Sequence, residues 1–282
     1  MNRAWKLSLA LLLSAGAANA ANLVAYGPAT SSEVTYATDA GHVVTVWDDA
    51  TWQGASAGDF APFDAILVGD SDCGDPTNPD GLWGNSALWG PLVTGNVLMH
   101  GFDNHNSAEN DYDGLIVNCA DFAAAGSGLG LCISIQCAED NPLAPEGGDF
   151  EGTLTIPGMG DFELDGSSGN GIVIVNPGHP AMAGLTDADL DCWGNSVHTH
   201  VQSSPAAFEV LAEDNGVDCG DVAQGGDGDP EGGGGKTGPV IIARGSVASI
   251  LSIPTLSLAA LALLAAVLGA VSILVLRRRS RA

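Results

Sequence analysis

The sequence predicts an α/β domain on a doubly wound, mostly parallel sheet, and three observations carry that expectation. Short apolar runs bounded by turn residues recur at 23–26, 43–47, 65–68, 96–99 and 129–135, each of a length suited to a buried strand. Between the last two, Asn106 offers a helix cap with Glu109 three residues on, and Leu115, Ile116, Cys119, Phe122 and Ala123 recur at helical spacing. Such alternation of strand and helix favours parallel pairing through crossovers. No long linker divides the chain, so one domain over 21–246 fits better than two, followed by a short linker at 247–252. Beyond residue 150 the pattern loosens into an expected hairpin, 154–156 and 162–164 around Pro157-Gly158-Met159-Gly160, and then strands at 171–175, 208–211 and 240–243.

The 282 residues are 45% hydrophobic and 15% charged, enough apolar sequence for the core of a domain. Charge is lopsided: 8 Lys and Arg face 34 Asp and Glu, and Arg3, Lys6, Arg277, Arg278, Arg279 and Arg281 stand at the two ends. Between 21 and 252, Lys236 and Arg244 are the only lysine and arginine. A domain so acidic repels phosphate backbones, which excludes nucleic acid as a partner.

The two ends read as addresses. Residues 1–20 form an expected signal peptide, with Arg3 and Lys6 as its basic start, an apolar stretch at 7–13, and Ala18-Asn19-Ala20 as the cleavage site. The mature chain then begins at Ala21. Residues 256–276 carry no charge and only Ser257 and Ser272 as polar interruptions, long enough to cross a bilayer as a helix. Arg277, Arg278, Arg279 and Arg281 follow, placing that end in the cytoplasm and the acidic domain outside it.

Ile253-Pro254-Thr255-Leu256-Ser257 immediately precedes this span. With the apolar helix and the arginine cluster, residues 253–282 resemble the IPTL-CTERM sorting signal of Gram-negative bacteria. That resemblance implies an inner-membrane-anchored precursor with a periplasmic ectodomain, processed by a protease-transpeptidase of the exosortase type toward the outer envelope or cell surface. Leu258, Ala259 and Ala260 stand where the family usually carries a variable residue and Trp-Gly. Pro254 resists helix continuation and marks an extended, protease-accessible step at the membrane surface.

Cys73, Cys119, Cys132, Cys137, Cys192 and Cys219 all fall in the exported part, where disulfides form. Up to three bridges fit, among about 15 connectivities. Cys192 with Cys219 and Cys73 with Cys137 are the least strained pairings, while Cys119 and Cys132 sit in apolar patterns and read equally as buried thiols. No spacing matches a zinc template.

Three segments carry a second resemblance: 63–70 (FDAILVGD), 95–102 (GNVLMHGF) and 179–185 (HPAMAGL). They are similar to the class I glutamine amidotransferase-like, flavodoxin-like fold, in particular its ThuA-like branch. In amidotransferase-type enzymes a cysteine nucleophile occupies the tight turn after the fourth strand. Here His100 stands at about that turn and no G-x-C-x-G occurs, so glutaminase chemistry is not implied. Cys137, one strand later, reads as a half-cystine.

Open α/β sheets bind ligands at the carboxyl ends of their strands. Asp70 and Asp72 follow the third strand there, and His100, Asp103 and His105 the fourth. His198 and His200, two apart, share one face of an extended segment. Two histidine pairs with carboxylates suit Zn²⁺ and an activated water. Acid clusters suit Ca²⁺ instead: residues 109–114 mimic the start of a calcium loop but lack its closing Glu, and 227–231 lies in a glycine-rich stretch without repeats. Solvated surface acid is the simpler reading of both. Residues 232–237 (GGGGKT) miss the P-loop pattern, with Pro230 where glycine is required. Trp47, Trp52, Trp83, Trp89 and Trp193 suit either a sugar platform or core packing. Two expectations result: an exported, sorted envelope protein with a binding module of unknown ligand, or a secreted hydrolase using His100, Asp103, His105, His198 and His200.

Overall fold

The computed structural model describes residues 20–27, 31–69, 80–102, 113–135, 151–166, 171–190, 197, 199–216 and 237–245, all within one compact unit, Ala18–Ile250. In chain order come β1 (Asn22–Tyr26), α1 (Ser31–Asp39), β2 (Val43–Trp47), α2 (Asp49–Gly54), α3 (Ala57–Phe60) and β3 (Ala65–Val68). There follow α4 (Asp80–Gly84), α5 (Ser86–Trp89), β4 (Val93–His100), α6 (Asp113–Ala124) and β5 (Leu129–Ser134). The later part holds β6 (Glu151–Ile156), β7 (Gly160–Asp165), β8 (Ile172–Ile174), α7 (Asp187–Leu190), β9 (His200–Ser203), β10 (Glu209–Asp214) and β11 (Gly238–Arg244).

Eight strands make the central sheet in the order β2-β1-β3-β5-β4-β11-β10-β8. The first five are mutually parallel, as the apolar runs predict. The last three depart from that expectation: β11 is antiparallel to β4 and β10, and β10 to β8. Parallel neighbours need crossovers of a dozen or more residues, usually helical. Among the described residues the only α-helix between β8 and β11 is the four-residue α7. The hairpin forms as read, β6 with β7, and β9 adds to β7 in a separate three-stranded antiparallel sheet.

Alternation along the strands decides which layer each side chain joins. On one face Leu23, Ala25, Leu67, Leu98 and Ile241 pack against Ala37 of α1 and Leu115, Cys119 and Phe122 of α6. On the other, Val24, Ile66, Met99, Leu131 and Ile133 pack against Trp52, Phe60, Leu82 and Trp89 of α2 to α5 and against Leu154, Phe162 and Val201 of the small sheet. Burial on both faces explains why the parallel strands read as unbroken apolar runs. The tryptophans belong to this second layer: Trp52 and Trp89 are fully buried, and Trp52 meets Tyr26, Trp47 and Phe60 edge to face. Core packing therefore accounts for them, and Trp193 lies outside the described residues.

Helix α6 is fastened to the sheet three ways. Cys119 and Cys132 form a disulfide with Cα atoms 5.4 Å apart, which decides between the half-cystine and the buried thiol that their sequence setting leaves open. Their apolar settings do not distinguish a thiol from a bridge, because both are buried sulfur. Asn96 of β4, itself buried, donates through Nδ2 to the Phe122 carbonyl at 2.9 Å and so satisfies an orphan acceptor near the helix end. At Gly130 a side chain would collide with the Ala123 carbonyl, so glycine lets helix and strand approach. Gly114, which a calcium loop would need at a sharp turn, lies in the first turn of α6.

The sheet's β2 edge is bare in sequence as well as in space. Val43 and Val46 are 58% and 51% exposed, and β2 carries no charged residue. Among the described residues only β1 pairs with it. No described helix is long and apolar enough to cross a membrane. The leader, the sorting tail and Cys73, Cys137, Cys192 and Cys219 lie outside the described residues.

Candidate functional site

Several of the buried polar residues, among them His100, Ser134 and Asp214, stand at the carboxyl ends of strands in the central sheet. His100 closes β4 and stands opposite Ser134 of β5 on one side and Ile241 of β11 on the other. It is 1% exposed, and its Nδ1 has no hydrogen-bond partner among the described residues. Burial without a countercharge disfavours the imidazolium, and its pKa is lowered from 6.5 to about 3. At neutral pH the ring is therefore uncharged. The Ser134 hydroxyl donates to the Phe102 carbonyl at 3.3 Å, and the Phe102 ring lies 6.2 Å from the imidazole.

The next two residues bring in the second histidine segment. Gly101 donates to the Val240 carbonyl at 3.0 Å, and a side chain at Gly101 would strike the Thr199 carbonyl. Phe102 forms an isolated antiparallel bridge with Val197. The backbone carrying His100 thus runs directly beside Val197 and the backbone of Thr199. Sequence alone gives no reason to join them.

His200 begins β9 and is completely buried, with Nε2 3.3 Å from Asp214 Oδ2. Asp214, also buried, accepts the Gly216 N–H through Oδ1 at 2.8 Å. It is the last residue of β10 and pairs with Gly238 of β11, which puts it on the same sheet edge as His100. Asp165 of β7 stands opposite His200 in the small sheet, and its Oδ2 lies 3.5 Å from Gln202 Nε2. A carboxylate on one ring nitrogen fixes the orientation of an imidazole, as catalytic and metal-binding histidines require and as structural ones also tolerate.

Among the expected site residues, His100 and His200 are described and lie on adjoining segments. Asp70, Asp72, Asp103, His105 and His198 lie outside the described residues. No group of three metal-ligating side chains occurs among the described residues. Ser134, Asp165 and Asp214 escape the sequence reading.

Two further histidines take carboxylates away from this edge. His42 Nε2 lies 3.2 Å from Asp121 Oδ1, and His179 Nε2 lies 3.5 Å from Glu209 Oε1. Burial lowers the His179 pKa, and Glu209 partly offsets that. Arg244 is the only Lys or Arg among the described residues. It donates to the Val93 carbonyl at 2.9 Å and lies over the Phe208 ring at 5.5 Å. Burial lowers its pKa.

These features define an α/β protein with a mixed, mostly parallel central sheet and a buried histidine edge. No family profile matches the chain, and no significant match is found among curated proteins or solved structures.

Proposed function

We propose that the protein is an exported, C-terminally sorted envelope or surface protein whose acidic α/β domain binds a ligand or partner. The order of elements in the chain supports this reading: a signal peptide, an acidic domain, the residues Ile253-Pro254-Thr255-Leu256-Ser257, an apolar span and a terminal arginine cluster. The Cys119–Cys132 disulfide fits an oxidising compartment. Processing by an exosortase-type enzyme follows from the tail's resemblance. The intact mass of the protein from its native envelope tests the reading. A chain starting at Ala21 and ending between Ile253 and Ser257 is the expected result. A chain retaining residues 256–281 makes the tail a permanent anchor and removes the sorting step.

A second reading, a secreted metal-dependent or acid–base hydrolase on a ThuA-like fold, is favoured by one observation. His100 is a neutral imidazole with an unpartnered Nδ1, at the sheet edge where α/β folds place their ligands. Zn²⁺ or another transition metal is the cofactor this reading names. Stoichiometric metal in the purified protein that is lost in His100→Gln, with an unchanged circular dichroism spectrum, supports the hydrolase. Absence of metal in the wild type and unchanged ligand binding in His100→Gln count against it.

A further inference from the structure

The exported reading makes one internal nitrogen into a chain terminus, and that nitrogen is already held. Ala20 is exposed, whereas Ala21 is only 7% exposed. The Ala21 N–H donates to Nδ1 of His42 at 3.3 Å, and the Ala21 carbonyl accepts from the Val43 N–H at 2.8 Å. His42 is buried in the turn between α1 and β2, and its Nε2 faces Asp121 of α6 at 3.2 Å, off the ideal hydrogen-bond line. An Nδ1 that accepts a hydrogen bond carries no proton, so the ring proton of the neutral imidazole sits on Nε2, toward the acid. The Nε2 proton then faces Asp121 while the Nδ1 lone pair is held by the Ala21 N–H.

We infer that His42 and Asp121 form a receiving site for the α-amino group that leader cleavage creates at Ala21. The inference rests on the exported reading above. Cleavage adds one water across the Ala20–Ala21 peptide bond. The hydroxyl goes to the Ala20 carbonyl carbon, the amide nitrogen leaves as an amine, and the amine takes up protons to become an ammonium. One of its N–H groups keeps the bond to His42. The others face the side vacated by exposed Ala20, where water reaches them. The positive charge stays on the ammonium, which donates to the imidazole nitrogen opposite the Asp121 carboxylate of α6, and charge-assisted bonds of this kind are stronger than neutral ones. The order of events is fixed as well. In the folded domain Ala21 is buried and hydrogen-bonded, so a peptidase that binds an extended segment must act before β1 docks.

Amine chemistry tests this directly. The chain contains Lys6 and Lys236 as its only lysines, so after cleavage the Ala21 amine and Lys236 are the two primary amines. Native protein is acylated briefly with acetic anhydride at neutral pH, and the two amines are quantified by mass spectrometry. The Ala21 to Lys236 labelling ratio is expected to rise about tenfold in His42→Ala, and less in Asp121→Asn, as local closure of the terminus is lost. A leader-junction variant that leaves Ala20 as the first residue provides a check that leaves the folded domain intact. Its amine stands outside the site and should label about tenfold faster than that of Ala21. Equal labelling of the Ala20 and Ala21 termini, or an unchanged ratio in both substitutions, overturns the proposal. The intact mass separates the two failures. A native chain that begins elsewhere than Ala21 overturns the leader reading and the proposal with it, whereas a chain that begins at Ala21 with a freely reactive amine overturns only the receiving site.

Discussion

The parallel half of the sheet and its antiparallel half are stabilised by different means. Strands β1, β3, β4 and β5 are sealed on both faces by apolar side chains, and α6 is bolted onto them by a disulfide. The half built from β11, β10 and β8, with β9 beside it, holds the buried His200–Asp214 pair and Arg244. Hydrophobic burial is non-directional and tolerant, while buried polar groups require their partners in place. The junction between the halves is β4 against β11, and His100 stands at its end. A chain can locate chemistry where two packing regimes meet, because a polar residue is tolerated there without opening either core.

The largest effect is expected in the apolar half. Trp52 is completely buried and its Nε1 has no hydrogen-bond partner among the described residues, so Trp52→Ala removes packing and should cost about 3–5 kcal/mol in urea unfolding. A loss below about 1 kcal/mol would mean that the aromatic layer is not cooperative with the sheet. Next comes the disulfide, which closes a loop of sequence separation 13. Replacing both Cys119 and Cys132 by Ala should cost about 3 kcal/mol by the chain-entropy account, seen as a lower urea midpoint.

Smaller effects belong to the polar half. Asp214→Asn keeps the shape but weakens the acceptor for His200 and should cost about 1–3 kcal/mol. A variant as stable as wild type would mean that the pair adds little net stability. The finest discrimination is by pH. The unfolded chain binds a proton at His100 near pH 6.5, while the folded chain holds it off until about pH 3. The unfolded state therefore carries more protons between those values, and stability falls as pH drops from 6.5 toward 3. Relative to wild type, His100→Leu should flatten this acid limb, measured as the difference in thermal midpoint across that window. Parallel limbs in the two proteins would mean that His100 is solvated in solution.

The apolar half was also the legible half. Runs such as Ala65–Val68 need no partner information to be recognised, and their continuity announces two covered faces. Helix α1 escaped because its sequence, SSEVTYATD, sets Val34, Tyr36 and Ala37 among polar residues and buries an acid, Glu33, beside them. The four- to six-residue helices α2 to α5 are too short for a periodic signal to emerge. In the site, His100 was legible from its place after a strand. Asp214 was not, because in a chain with 34 acids an aspartate reads as solvated surface until a buried partner is known. The bridge from Phe102 to Val197 joins residues 95 positions apart, a contact that no local pattern encodes.

The bare β2 edge has a consequence for handling the protein outside its native setting. Sheet margins are commonly defended by lysine, proline or a bulge, and β2 has none of these. Its defence falls to mutual repulsion among copies that each carry a net charge of −26. Such repulsion acts over about 8 Å at physiological ionic strength and over about 3 Å in molar salt. Colloidal stability should therefore follow the salt concentration of the buffer, with light scattering rising as screening lets one copy's margin template the next.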